Sequence, residues 1–191
     1  RVASRGLGDV YKRQEYRSKI EVLDSFLVIE SEEVTSSFEN KPIHINVTNI
    51  KDEIDPIRGK SVLEVMQRTI DAVHEQRTRL NIPMFAHINH PNFGYGISTE
   101  DLKQLNGERF FELYNGHPSV NNEGDDTHID TETMWDLINI HYYIEGKPLL
   151  FGIATDDSHN YHFYSSDNSN TGRGWVMVNS KKLDADHLIS A

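Results

Sequence analysis

The sequence predicts an α/β protein organised around a parallel sheet. Three observations carry that expectation. Strand-like and helix-like patterns alternate along the chain. The apolar runs are short and rich in β-branched residues. Histidines and carboxylates follow several of these runs in close succession, as happens where an α/β fold gathers its active site at strand ends.

The elements follow in order. Residues 25–29 (SFLVI) form a short apolar run and the first expected strand, followed by Glu32 and Glu33. Residues 43–48 (IHINVT) alternate as a second strand that carries His44. After a loop with Pro56 and Gly59, a helix is expected over 61–80, because Val62, Val65, Met66, Thr69, Ile70 and Val73 recur at helical spacing. Ser61 and Glu64 make a capping box at its start, and Pro83 bounds its end. A third strand over 83–88 runs into Asn89, His90 and Pro91. Ser98 and Asp101 cap a short helix, and residues 109–114 give a fourth strand ending in Asn115 and His117. A helix over 131–145 is closed by Gly146 and Pro148. Residues 149–154, the most apolar strand, stop at Asp156, Asp157 and His159. A further strand is expected over 174–178, and a helix begins near 183.

Composition narrows the function classes. The chain has 191 residues, 37% of them hydrophobic, which suits one domain with a sizeable core. No apolar run approaches the length of a membrane span, so no membrane partner is expected. Cysteine is absent, which removes disulfides and thiolate zinc sites. A net charge of -11 argues against a nucleic-acid partner. Ten histidines beside thirty carboxylates suit divalent cations. Residues 1–14 carry no pattern leading into a strand or helix and resemble a translated sequencing-adapter remnant. They are set apart as a non-native leader, and residues 15–191 are read as a partial domain whose localisation is unknown.

Residues two apart on a strand point the same way, so Asp157 and His159 are expected to face one ion if the strand persists to its end. Four strand ends with such chemistry suggest one shared site. His, Asp and Glu from separate strands can hold closely spaced divalent ions, which activate water and stabilise a phosphoryl or acyl centre.

The ordered combination of 31–35 (SEEVT), His44, 86–91 (AHINHP), 111–115 (FELYN) and 155–159 (TDDSH) resembles the PHP (polymerase and histidinol phosphatase) superfamily of metal-dependent phosphoesterases. The resemblance spans about residues 26–178. It implies a distorted TIM-like (β/α)7 barrel, incomplete here at the N-terminus, with two or three Mn, Zn or Fe ions at strand ends. By position, Glu33, His44, His90, Asp157 and His159 are the implied metal ligands. Glu33, Asp157 and His159 are also the implied catalytic residues. The implied reaction is phosphoester hydrolysis by metal-bound hydroxide on a small phosphorylated substrate. The family's early His-x-His motif and a further acid and histidine have no counterpart in this chain, so the fragment is expected to be incomplete and its activity open.

Arg173, His117 and Asn115 are candidates for substrate binding. Arg173 is otherwise a turn arginine, His117 otherwise a packing residue in its loop. His87 is either a ligand or a histidine facing the core, Glu112 a supporting residue, and Asp156 an acceptor that orients an imidazole. Two other functions stand beside the phosphoesterase: an amidohydrolase-like enzyme on a non-phosphate substrate, and a non-catalytic binding module of the same family type.

Overall fold

The computed structural model describes residues 17–107 and 109–191; the expected leader, 1–14, lies outside them. Its centre is a five-stranded sheet in the order β1-β2-β3-β4-β5. The strands are β1 (Ser31–Phe38), β2 (Lys41–Thr48), β3 (Phe85–Ile88), β4 (Phe110–Asn115) and β5 (Phe151–Thr155). Helices among the described residues include α1 (Val62–Leu80), α2 (Thr99–Gln104), α3 (Thr131–Ile144) and α4 (Ala185–Ile189), with a 3-10 turn at Phe93–Tyr95.

The sheet is open, and this overturns the (β/α)7 barrel. Its edges are β1 and β5. The reason lies in its first half. β1 turns into β2 through Glu39 and Asn40, with Phe38 opposite Lys41, so a tight hairpin replaces a crossover helix. β2 pairs with β3 antiparallel as well. Only β3-β4-β5 is parallel, with α2 and α3 on the two crossovers. The wholly parallel sheet is therefore corrected to a mixed one.

The first expected strand also moves. Residues 25–29 lie beside a turn closed by a Val22–Phe26 bridge, and the regular strand begins at Ser31. Glu32 and Glu33 thus sit inside β1 instead of following it. Alternation decides this: Val34 and Ser36 are buried while Glu33 and Thr35 point away. In β2, Ile43, Ile45 and Val47 are buried on the same side as Val34.

α1 covers that apolar face with Val62, Val65, Met66, Ile70 and Val73. Each such burial stabilises the fold by roughly 1.5–3 kcal/mol relative to exposure. Its N-cap differs slightly from the expected box: the Ser61 hydroxyl accepts from Glu64 N at 3.1 Å, but the Glu64 carboxylate reaches back to Lys60 N. The short helix α2 has the complete box between Ser98 and Asp101. α3 adds Met134, Ile138 and Tyr142 to the same core, and the Tyr142 hydroxyl donates to the carbonyls of Leu102 and Leu105.

The opposite face of the sheet carries Glu33, His44, Asn46 and His87, and further along a tilted row of Phe85, Phe110 and Phe151. β5, the most apolar strand by sequence, is the most exposed one, with Phe151 56% accessible. It is an edge strand, and an apolar run buries only what its neighbours cover. The expected strand at 174–178 is not formed, and Trp175 and Met177 are exposed. No helix among the described residues is long and apolar enough to cross a membrane.

Candidate metal centre

Glu33 from β1, His44 from β2 and His90 from the turn after β3 converge, with their ligand atoms all within 4.8 Å of one another. The register explains the first pair. Glu33 lies opposite Asn46 and Thr35 opposite His44, so Glu33 and His44 are diagonal neighbours on one face. Asn89 N donates to His44 O at 3.1 Å, which extends the β2–β3 pairing just far enough to deliver His90 beside them. The turn after His90 is held close to β2: a Cβ on Gly96 would come within 2.2 Å of the Pro42 carbonyl oxygen.

One carboxylate oxygen is the focus. Glu33 Oε1 is 3.2 Å from His44 Nδ1 and 3.5 Å from His90 Nε2. Exposure falls from 35% for the Glu33 side chain to 16% for His44 and 6% for His90. The cluster therefore opens to solvent on the Glu33 side. Burial works to raise the Glu33 pKa, but the hydrogen bonds and charges of His44 and His90 outweigh it and hold the carboxyl well below its usual range. His90 is raised: burial opposes its charge, while Glu33, Glu112 and Asp157 favour it. One carboxylate and two imidazoles, aimed together, could hold one divalent metal ion.

A second group lies at the ends of β4 and β5. Asp157 Oδ2 is 3.9 Å from His90 Nε2, and Asp157 Oδ1 is 3.5 Å from His159 Nδ1. The expected strand alternation does not bring these two residues together. β5 ends at Thr155, and Asp157 takes a left-handed backbone with φ of 46°. His159 is 61% exposed, its Nδ1 lies 2.8 Å from the Asp157 carbonyl oxygen, and its ring meets His117 edge-on at 5.2 Å.

Glu112 ties the two groups together. Its carboxylate accepts from His90 N at 2.5 Å, Asn115 Nδ2 at 3.0 Å and the Thr155 hydroxyl. Burial raises its pKa despite these bonds. Asn115 Nδ2 also donates to Asp157 Oδ2 at 3.2 Å, and its Oδ1 accepts from His117 N at 2.8 Å. The Asn115 amide is thus engaged within the protein.

Other expected residues fall elsewhere. Arg173 directs its guanidinium to the carbonyls of Gly116 and Ser165, at 3.0 and 2.5 Å, so it braces loops. Asp156 accepts from the backbone N–H groups of Gly172, Arg173 and Gly174, which corrects its expected role as an imidazole acceptor. Glu32 Oε2 accepts from Ile54 N. His87 is buried and pairs through Nε2 with Asn46 Nδ2 at 3.3 Å; burial pushes its pKa down to about 4.

Sequence reading missed Asn46 and Asn89 as partners of this site. The two-residue step from Thr35 to Glu33, His44 to Asn46 and His87 to Asn89 was a usable signal for one polar face. A cavity of about 840 Å³ opens beside His44, with Thr35, Ser37, Pro42, Ile57 and Arg58 among its walls. No family model matches the chain, and no curated protein matches it.

Proposed function

We propose that this chain carries the metal centre of a metal-dependent hydrolase, most specifically a phosphoesterase. The observation that carries the metal reading is the convergence of Glu33, His44 and His90 from three separate elements. The hydrolytic reading adds the resemblance of the ordered segments from SEEVT through TDDSH to the PHP superfamily. The open sheet contradicts the barrel that this resemblance implied, so the hydrolytic reading rests on the residues of these segments alone.

Glu33, His44 and His90 would hold a divalent ion, and Asp157 stands close enough to His90 to join them or to hold a neighbouring ion. When bound, such an ion polarises a phosphoryl oxygen and lowers the pKa of water. The residues' own contributions follow from their environment. Glu33 supplies a fixed negative charge because its carboxyl stays ionised. His90 must present a deprotonated Nε2, so metal binding strengthens as pH rises through its raised pKa. Glu112, which accepts from the His90 backbone, fixes where that ring starts. The cavity beside His44 gives a small substrate a side approach, with Arg58 on its wall as an anion partner.

The test combines metal content with a substrate panel. The expected result is a bound divalent ion by elemental analysis and thermal stabilisation by added Mn(II) or Zn(II). An ion at a hundred times its Kd would add about 2.7 kcal/mol. Phosphate esters would be cleaved in preference to amides, and a chelator would remove that activity. Protein that takes up no divalent ion rules out the metal centre. Metal uptake with amide cleavage alone favours the amidohydrolase-like alternative, and uptake without turnover the binding module.

A further inference from the structure

We propose that Asn89 is a positioning residue that sets the Glu33 carboxylate in place for a metal ion, an inference that rests on the metal-centre reading above. Asn89 is 3% exposed and immediately precedes His90. Its backbone N–H donates to His44 O at 3.1 Å. Its side-chain Oδ1 accepts from Asn46 N at 3.1 Å, and its Nδ2 donates to Glu33 Oε1 at 2.8 Å. One residue thus touches the strand of each of the other two ligands and is bonded covalently to the third.

The direction of the carboxamide follows from its partners. A backbone N–H can only donate, so the atom facing Asn46 N must be the oxygen, and the amino group must face Glu33. The polarity suits an ionised carboxylate, which only accepts. Glu33 sits on an edge strand and is the most exposed of the three ligands, so it most needs an external hold. A carboxylate has about four lone-pair sites. An N–H on Oε1 therefore fixes the group without exhausting its capacity for an ion. Partners of this kind orient metal ligands, and their loss typically weakens metal affinity by about 10–100-fold.

A rival role is a simple staple between β2 and β3, which the Asn46 bond alone would provide. Calorimetric titration of the full chain with Zn(II) alone separates the two, with circular dichroism and thermal unfolding recorded for each variant. Asn89→Ala is expected to bind Zn(II) about 10–100-fold more weakly. In a Glu33→Gln background the same substitution is expected to add less than about twofold, because the two residues act together. A folded Asn89→Ala that binds within about twofold of the unmodified chain, losing only thermal stability, overturns the positioning role.

A second measurement needs no Asn89 variant. In the ¹⁵N-labelled chain, the Asn89 side-chain amide resonance should be displaced by Glu33→Gln and should shift during Zn(II) titration with the same midpoint as binding. A resonance indifferent to both overturns the proposal. Zinc binding that Glu33→Gln abolishes but Asn89→Ala spares sinks the positioning role alone. Failure of the unmodified chain to bind Zn(II) sinks the metal reading with it.

Discussion

The two sides of the candidate site use the same residue types and differ in how they are held. On the β1–β3 side, Glu33 and His44 project from regular antiparallel strands whose other face is sealed by α1. On the β4–β5 side, Asp157 and His159 stand on irregular backbone beyond an exposed edge strand, after a register shift between Glu112 and Tyr114. The first arrangement fixes side chains through strand register and a packed core. The second depends on loop hydrogen bonds, those of Ser169 to Asp157 and His159 and those of Asp156 and Arg173 around them. Strand-borne ligands are thereby more exactly placed than loop-borne ones, which bears directly on metal affinity.

The largest expected effect breaks the comparison at its centre. Glu33→Gln should weaken Zn(II) binding by at least about 100-fold, because it removes the negative charge on which both imidazoles focus and leaves a poorly ligating amide. His159→Ala, on the exposed side, should cost less than about tenfold. Competition against a chelator of known affinity measures both. Equal losses would erase the difference between the two sides.

An effect of comparable size concerns acid stability on the β1–β3 side. His87 is buried with a pKa near 4, below the ordinary value for an unfolded chain of about 6.5. Between those values the unfolded state takes a proton that the folded state refuses. Stability is therefore present above about pH 6.5 and lost as pH falls toward 4, by something on the order of 3 kcal/mol. His87→Leu should flatten that part of the pH–stability curve, read by urea unfolding at several pH values. An unchanged slope would mean that His87 is protonated in the fold.

The smallest effect sharpens the β4–β5 side. Arg173→Ala should lower stability by about 1–2 kcal/mol through its lost carbonyl partners. Zn(II) affinity and KM for a phosphate ester should stay within about twofold, an additivity-scale change. A large rise in KM with unaltered unfolding would instead make Arg173 a substrate clamp.

Local chemistry was legible in the sequence wherever it depended on spacing. The α1 stripe from Val62 to Val73 and the α2 cap at Ser98 and Asp101 were read correctly. So were the cores of β2, β3 and β4. The strand at 25–29 was not, because a serine and four apolar residues say nothing about whether a neighbour will pair with them. Nor was the isolation of 149–154 and 174–178, since burial of an apolar run depends on what lies next to it.

For the site, residue type, order and the family resemblance nominated Asp157 and His159 together with Glu33, His44 and His90. Only the tertiary structure decided that the last three meet through a hairpin and an antiparallel β3, in a sheet that stays open. It also decided that Asp157 reaches His90 by a left-handed turn beyond the strand's end, and that Asn89 holds Glu33. Pairing direction, register and closure depend on contacts between residues far apart in sequence, whereas helical periodicity and capping are complete within a few turns of chain.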